Sequence, residues 1–359
     1  MAATDTTALA AEYATLTERC GLVDRSERGK LALTGSDAVE FLNGQVTNEL
    51  LGLKPGEGRY AAFLTHKGKM LGDLRILVVG ADPKSFRRDG TEIDVTLDIE
   101  KVGELLLDTE RVALQALFDM IRRFKVGYEV ELHKRTLECS LLSLIGPHAD
   151  EVAAKAFAVS PTSGSGPGDL SEREHDHVLV SPSPASVNQP ETPARLIRTD
   201  VGIDALLDSS AAQTVRGALE AAGAVEVSEA AAEVVRVEHG RPRFGVDIDE
   251  STIPQEAGLN ERAVSFTKGC YVGQETVARL HYRGKPNRHL RGLRLSEQVP
   301  SGAELNLGER SVGRLGSSVL SPTHGPIGLA LVRREAEPGT TVAVGEGGAS
   351  ALVTKLPFG

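Results

Sequence analysis

The chain has 359 residues, of which 40% are hydrophobic and only 4% aromatic, and its 50 acidic residues outnumber 40 basic ones. This length allows two or three domains with sizeable cores. The net charge of −10 argues against a chain devoted to binding nucleic acid, which requires a basic face.

Three cysteines, Cys20, Cys139 and Cys270, lie more than a hundred residues apart. This spacing excludes a CxxC pair, a zinc-ligand pattern and a dense disulfide framework. No apolar stretch approaches the roughly 18 residues that span a bilayer, and residues 1–20 lack the pattern of a signal peptide. We therefore predict a soluble cytoplasmic protein with no metal site.

Strand-like and helix-like segments alternate in the first half of the chain. Lys30–Thr34 reads as a strand, and the turn at residues 35–37, with Asp37 as N-cap, leads into a helix over residues 38–42. Arg59–Thr65 and Leu74–Val79 are predicted to form a hairpin around a polar turn.

Further elements follow up to residue 157. The helical spacing of apolar residues between Leu114 and Phe124 predicts a helix whose last turn is basic. Val126–Leu132 and Leu137–Ile145 are predicted strands, and Ala149–Phe157 is a predicted helix.

The second half begins with a change in composition. Val159–Pro193 is rich in Ser, Pro and Gly, which predicts a mobile insertion with one short strand at residues 178–180. Ser210–Ala222 and Ser228–Val237 follow as predicted helices. After Asn287, short β-like runs separated by Gly and Pro turns predict a small antiparallel barrel or sandwich.

The segment of residues 266–275 carries the densest chemistry. Lys268 and the start of a helix near Gln274 would both favour the thiolate of Cys270, so the thiol could be nucleophilic, redox-active or ligand-binding. The alternative is a small buried cysteine beside a glycine turn. Cys20 and Cys139 lie in apolar surroundings and are predicted to be structural.

Two charged segments flank this one. Arg236 and Glu238 could present a fork of donors and acceptors to a planar heterocycle, or could form a surface ion pair. Arg279–Arg294 is basic and contains no acidic residue, so it could attract a polyanion or could be a solvated linker.

The octet Lys-Gly-Cys-Tyr-Val-Gly-Gln-Glu at residues 268–275 resembles the signature of the YgfZ family, whose members are relatives of the glycine-cleavage aminomethyltransferase, or T-protein. Further segments are similar to both families, namely residues 20–26, 35–48, 54–56, 68–74, 236–249 and 254–259. The Ser-Pro turn at residues 321–322, before residues 327–330, is similar to the T-protein C-terminal domain.

This resemblance implies an α+β, three-lobed, T-protein-like folate-binding fold with a C-terminal antiparallel β-barrel. It implies a lobe at residues 1–158, the insertion at 159–193, a second lobe at 194–285 and the barrel at 286–359. The expected cofactor is tetrahydrofolate or a one-carbon-substituted reduced folate. The expected function is assistance to the maturation or repair of iron–sulfur enzymes, including those that modify tRNA. The predicted catalytic residues are Cys270, Lys268 and Asp73, and the predicted folate contacts are Asn48, Asp73, Arg236, Glu238, Tyr271, Gln274 and Glu275.

Two departures from the T-protein pattern favour this function over aminomethyl transfer. The T-protein has an Asp-Asp pair where this chain has Gly72-Asp73, and it has a Tyr-Thr-Gly-Glu segment where Arg198–Asp204 lacks both Tyr and Glu. A folate-dependent aminomethyltransferase remains the alternative, and a scaffold that contacts client proteins without folate is a third possibility. We expect a monomer whose partners are folate and iron–sulfur client or assembly proteins, and direct binding of tRNA stays open.

Overall fold

The computed structural model describes residues 3–79, 104–157, 170–180 and 193–359. The helices are α1 (Ala3–Glu18), α2 (Ala38–Asn43), α3 (Leu114–Phe124), α4 (Ala149–Phe157), α5 (Ala212–Ala222), α6 (Glu229–Glu238), α7 (Asn260–Ala263) and α8 (Gln274–Arg283). The strands are β1 (Gly21–Asp24), β2 (Gly29–Thr34), β3 (Gly58–Leu64), β4 (Met70–Val79), β5 (Glu104–Thr109), β6 (Glu131–Lys134), β7 (Cys139–Ile145), β8 (His177–Val180), β9 (Ala194–Arg198), β10 (Gly202–Asp208), β11 (Val225–Glu226), β12 (Arg288–Leu295), β13 (Glu304–Leu307), β14 (Arg310–Ser321), β15 (Gly325–Arg333), β16 (Thr341–Val344) and β17 (Ala349–Thr354).

The first sheet has five antiparallel strands in the order β3-β4-β5-β2-β6. The predicted hairpin is its β3–β4 pair. Leu74 and Ile76 of β4 belong to the hydrophobic core that also includes α3, whereas Asp73 and Arg75 occupy the alternate positions. Because side chains alternate along a strand, these two charged residues share the opposite face of the sheet.

The second sheet has six strands in the order β11-β1-β7-β10-β9-β8. All neighbours are antiparallel except the short parallel pair of β1 with β11. Helices α4 and α5 cover it, with Val152 and Val215 packed into a core that includes Leu144 and Leu196. Its strand β1 precedes all strands of the first sheet and its other strands follow them, so the two sheets interleave along the chain.

The third sheet is a closed barrel of the strands β12-β15-β14-β13-β16-β17, filled by apolar residues such as Leu293, Leu305 and Leu315. The predicted C-terminal antiparallel barrel is therefore confirmed, as is the α+β class. Closure leaves the barrel without free strand edges.

Several local predictions need correction. The strand predicted at Val126–Leu132 begins only at Glu131, because residues 125–130 form a turn in which Gly127 has φ +92°. Asp37 occupies the N-cap of α2 without capping it, since its carboxylate accepts a hydrogen bond from the backbone N–H of Glu129 at 2.8 Å. The residues of β9 and β10 were not predicted as strands.

The predicted mobile insertion lies largely outside the described residues. Its described part, residues 170–180, is packed against the second sheet. Strand β8 pairs with β9, which confirms the short strand predicted at residues 178–180. A deletion across this part would remove a strand of the second sheet.

Candidate functional site

A cavity of ≈ 270 Å³ lies between the first and second sheets and α6. Tyr60 on β3, Arg75 on β4 and Asp108 on β5 are cross-strand neighbours in register, so they form a row across one sheet face. Asp204 on β10 approaches from the opposite sheet. The pairing of strands therefore assembles the cavity wall from four distant stretches of the chain.

Asp73 is the predicted site residue that lies deepest in this wall. Its side chain is buried, with the residue 6% exposed, and its Oδ2 accepts a hydrogen bond from the Tyr60 hydroxyl at 2.7 Å. Burial raises the pKa of Asp73 to about 6, and burial together with Asp73 raises the pKa of Tyr60 well above its ordinary value. A carboxyl with such a pKa can accept or release a proton near neutral pH.

Gly72 lies beside Asp73 at a position where the packing leaves no room for a side chain. A Cβ atom at Gly72 would lie 2.6 Å from the Cβ of Ala113 and 2.6 Å from an edge carbon of Phe63. Such distances are well inside van der Waals contact, so an aspartate at position 72 would displace this packing. Asp73 therefore has no acidic neighbour at position 72.

Buried ion pairs balance the charges around Asp73. Arg75 donates to Asp204 at 2.7 Å and contacts Asp108 at 3.0 Å, which connects the two sheets. Arg28 also donates to Asp108, at 2.9 Å. Burial alone would raise the pKa of Asp108, but the cations of Arg28 and Arg75 hold it below its ordinary value.

The predicted fork of Arg236 and Glu238 is not formed. Arg236 lines the cavity, but its guanidinium is paired with Glu233 and with Asp247, the latter at 2.9 Å. Glu238 does not line the cavity; its carboxylate accepts hydrogen bonds from Tyr13 and from a barrel residue. Residues two apart on a helix point in roughly opposite directions, which is the physical reason for the correction.

Asn48 lies behind the cavity wall. Its side-chain amide donates to the carbonyls of Tyr60 at 2.9 Å and Arg262 at 3.2 Å, two residues that do line the cavity. Asn48 therefore positions the wall, and the structure gives it no direct place on the cavity surface.

Lys268 of the octet is buried and has a structural set of partners. Its ammonium donates to the carbonyls of Asn43, Val46 and Asn48 at 2.7, 2.9 and 2.6 Å. Burial lowers the pKa of Lys268 to about 8. The cation thus ties the octet to the loop after α2, and the predicted activation of the Cys270 thiol by Lys268 does not match these contacts.

The remaining octet residues also lie away from the cavity lining. Cys270 is exposed, Tyr271 is buried with its pKa raised to about 12, and Gln274 donates to the carbonyl of Gly269 at 3.3 Å. Glu275 is exposed in the first turn of α8. The contrast with the other cysteines is clear: Cys20 is buried, which raises its pKa to about 12, and Cys139 is half-buried with a raised pKa.

The basic stretch 279–294 does not contribute to the cavity lining either. Arg288 pairs with Glu256 at 2.8 Å, and Arg294 donates to the carbonyl of Gly359. An anion held by this stretch would therefore not be held by the cavity wall.

The cavity residues that the sequence analysis did not predict include Tyr60, Arg75, Asp204 and Arg262. Arg75 carried a usable signal, because an arginine at an alternate position of an otherwise apolar strand is a buried charge that needs partners. Tyr60 and Asp204 are recognisable only once the sheets are paired, and Arg262 only once α7 is packed against β3. In the described ranges, no group of three or more His, Cys, Asp and Glu residues has a metal-binding arrangement, and no helix is long and apolar enough to cross a membrane.

Comparison with known proteins gives this geometry a context. Residues 3–166 match the family model of the GCVT N-terminal domain. The chain is 28% identical to an aminomethyltransferase of Rubrobacter xylanophilus over 97% of this chain and 85% of the relative. It is 28% identical to an aminomethyltransferase of Streptomyces coelicolor over 92% of this chain and 82% of the relative.

The fold likeness extends over nearly the whole molecule. The crystal structure of glycine cleavage system aminomethyltransferase T from Bartonella henselae superposes with a TM-score of 0.77 and 23% identity, covering 98% of this chain and 89% of that one. The predicted T-protein-like fold is confirmed by this match. The chain is thus similar to aminomethyltransferases in sequence and has the fold of glycine cleavage system aminomethyltransferase T.

Proposed function

We propose that this protein binds a reduced folate in the cavity between its two sheets and acts in folate-dependent one-carbon transfer, as an aminomethyltransferase-like enzyme. The observation that carries the proposal is Asp73: a buried carboxyl, oriented by Tyr60, whose pKa of about 6 suits proton transfer at neutral pH. The named relatives, which are aminomethyltransferases, support the same class of reaction.

The residues of the cavity fit tetrahydrofolate. The pterin ring presents N–H donors beside a carbonyl acceptor, and the cavity offers the Asp73 carboxyl as acceptor and guanidinium groups as donors. Among the described residues, the Nε atoms of Arg75 and Arg262 are buried and have no hydrogen-bond partner. An unpaired buried donor costs about 1–3 kcal/mol, which a ligand oxygen would offset.

The size and charge of the cavity suit the pterin ring of tetrahydrofolate but not its whole length. Drug-sized ligands fill pockets of roughly 300–1,000 Å³, so a cavity of ≈ 270 Å³ suits a bicyclic ring with its tail directed outward. Because Arg75 is already neutralised by Asp108 and Asp204, the site suits an uncharged heterocycle better than an anion.

The roles of the chain's own groups follow from these contacts. Tetrahydrofolate, when bound, supplies the nitrogen atoms that accept a one-carbon unit. Asp73 holds or takes up a proton at its carboxyl oxygens, Tyr60 fixes the orientation of that carboxyl, and Arg75 keeps the two sheets together around it. Among the carboxyl groups of the cavity, Asp73 is the one to which we assign the proton, because burial raises its pKa to about 6.

Calorimetry with tetrahydrofolate tests the proposal. Asp73→Asn should weaken binding roughly tenfold or more, because it removes a charged acceptor from a buried site. Asp119→Asn, an exposed aspartate on α3, is the matched control and should bind as the unmodified protein does. Transfer of a one-carbon unit from an aminomethyl donor to tetrahydrofolate is then followed by mass spectrometry of the folate. Absence of binding to the unmodified protein at millimolar tetrahydrofolate refutes the proposal.

A second candidate function rests on a different observation. Cys270 is exposed and is not among the residues that line the cavity, and it lies within the octet that resembles the YgfZ signature. This placement suits a thiol that acts on iron–sulfur client or assembly proteins in the cytoplasm, including those of tRNA modification. In cells lacking the protein, complementation by Cys270→Ser and by Asp73→Asn separates the two: loss of iron–sulfur enzyme activity only with the cysteine variant supports the second function, and loss only with the aspartate variant supports the first.

A further inference from the structure

The segment of residues 170–180 brings an additional side chain into the cavity. His175 lines it beside Asp108 and Glu174, and its imidazole stacks on the Tyr60 ring with 6.0 Å between ring centroids and 29° between planes. Tyr60 is the residue that orients Asp73. His175 therefore belongs to the same wall, although no sequence motif pointed to it.

The backbone at His175 is held in a costly conformation. Its φ of +75° lies in the left-handed region, which a residue with a Cβ atom adopts only at a cost of about 1–3 kcal/mol unless the surroundings impose it. Here the N–H of His175 donates to the carbonyl of Arg198 at 2.9 Å, and the next histidine, His177, donates its N–H to Gly56 at 2.7 Å. Strain that is enforced from several sides is typical of functional positions.

The first sheet is shaped to admit this segment. A Cβ atom at Gly58 would lie 2.3 Å from the carbonyl oxygen of His175, so only glycine permits the close approach. On the other side Glu174 pairs with Arg262, whose guanidinium lies 5.3 Å from the centre of the Tyr60 ring. The imidazole is thus fixed between the two sheets.

One ring nitrogen of His175, Nδ1, is buried without a hydrogen-bond partner among the described residues. Nε2 lies 3.5 Å from a carboxylate oxygen of Glu174, which favours the tautomer with its proton on Nε2. Nδ1 is then an acceptor, and it has no partner among the described residues. Burial and the nearby cations of Arg75 and Arg262 lower the pKa of His175 well below its ordinary value, so the ring is neutral.

We propose that His175 determines ligand specificity in this cavity by accepting a hydrogen bond from an N–H group of the bound heterocycle. The inference rests on the proposed function and extends it. Asp73 and His175 together provide two acceptors, and the Nε atoms of Arg75 and Arg262 provide donors. This pattern selects a ring with neighbouring N–H groups and a carbonyl oxygen.

Three substitutions at position 175 test the proposal by calorimetry with tetrahydrofolate. His175→Phe keeps the ring stacked on Tyr60 but has no nitrogen, and His175→Gly removes the side chain while suiting the positive φ. Both should weaken binding about tenfold. His175→Asn tolerates the same backbone conformation and keeps an acceptor near the position of Nδ1, so its affinity should stay within about threefold of the unmodified protein.

The melting temperature of each variant identifies a folding defect, and His175→Gly supplies the result if the phenylalanine variant does not fold. The proposal is overturned if the glycine variant binds as the unmodified protein does, or if the asparagine variant binds as weakly as the glycine variant. Asp73→Asn distinguishes the role of His175 from the proposed function. If that variant binds tetrahydrofolate weakly while the His175 variants bind it as the unmodified protein does, only the role of His175 is refuted. If the unmodified protein does not bind tetrahydrofolate, the proposed function is refuted.

Discussion

Replacing Asp73 by asparagine should stabilise the protein at neutral pH. The pKa of Asp73 is about 6 in the folded protein, whereas the ordinary pKa of an aspartate is 3.8. The folded state therefore binds the proton more tightly than the unfolded state, and folding becomes less favourable as the pH rises from 3.8 to about 6. The difference corresponds to a ceiling of roughly 3 kcal/mol above pH 6. An asparagine carries no charge, and its carbonyl oxygen can still accept the hydrogen bond of Tyr60.

Urea denaturation at pH 8 and at pH 4 measures this effect. We expect Asp73→Asn to unfold with a free energy about 1–3 kcal/mol larger than that of the unmodified protein at pH 8, and with a gain of only about 0.5 kcal/mol at pH 4. The variant would then be more stable and bind less folate, a pairing typical of functional groups kept at a cost in stability.

Asp204→Asn is the matched control, because this second buried aspartate has charged and polar partners. It accepts hydrogen bonds from Arg75 at 2.7 Å and from Ser143 at 2.6 Å. Neutralising it leaves Arg75 with less compensation and should destabilise the protein by about 3 kcal/mol. Asp73→Asn should not destabilise the protein at pH 8 as this control does. Equal destabilisation would show that the ionised carboxylate of Asp73 does not lower the stability of the folded protein, and the reasoning would be wrong.

Three further predictions concern packing and the octet. Gly72→Asp should lower the free energy of unfolding by about 1–3 kcal/mol in urea denaturation, because its Cβ overlaps well-packed neighbours; unchanged stability would contradict that overlap. Brief iodoacetamide treatment at neutral pH should modify exposed Cys270 before buried Cys20, as mapped by mass spectrometry, and the reverse order would contradict the structure. Lys268→Met should destabilise the protein by about 2–3 kcal/mol, since three carbonyls lose a charged donor. The same variant should leave the labelling rate of Cys270 unchanged, and a slower rate would restore the predicted activation of the thiol.

Local sequence patterns predicted many of the helices and strands but few of the contacts within the site. The β3–β4 hairpin and helix α6 follow from apolar periodicity and turn residues, both of which are local. The partners of Lys268 are backbone carbonyls some 220 residues away, which no side-chain pattern reveals. Arg236 and Glu238 are close in the sequence, but the rotation of the α6 helix over two residues turns their side chains in roughly opposite directions.

The cavity illustrates the same limit on a larger scale. Asp73 was predicted from a family-like loop, but its surroundings were not. Tyr60 contacts Asp73 through strand register, and Arg262 of α7 and His175 contact the Tyr60 ring. These relations depend on tertiary contacts between segments far apart in the chain. Family resemblance could supply the fold, but the neighbours of the carboxyl had to be found in the structure.

The interleaved sheets constrain how this chain can fold as it is synthesised. β1 emerges early, but its two neighbours in the second sheet, β7 and β11, are made much later. The first sheet can form in the meantime, since all of its strands precede residue 135. A ribosome adds roughly 5–20 residues per second, so β1 spends several seconds as an unpaired strand edge. An N-terminal fragment that ends within residues 159–193 would contain β7 but lack β10 and β11. The edge of β1 that pairs with β11 and the edge of β7 that pairs with β10 would stay unpaired, which makes such a fragment prone to aggregation.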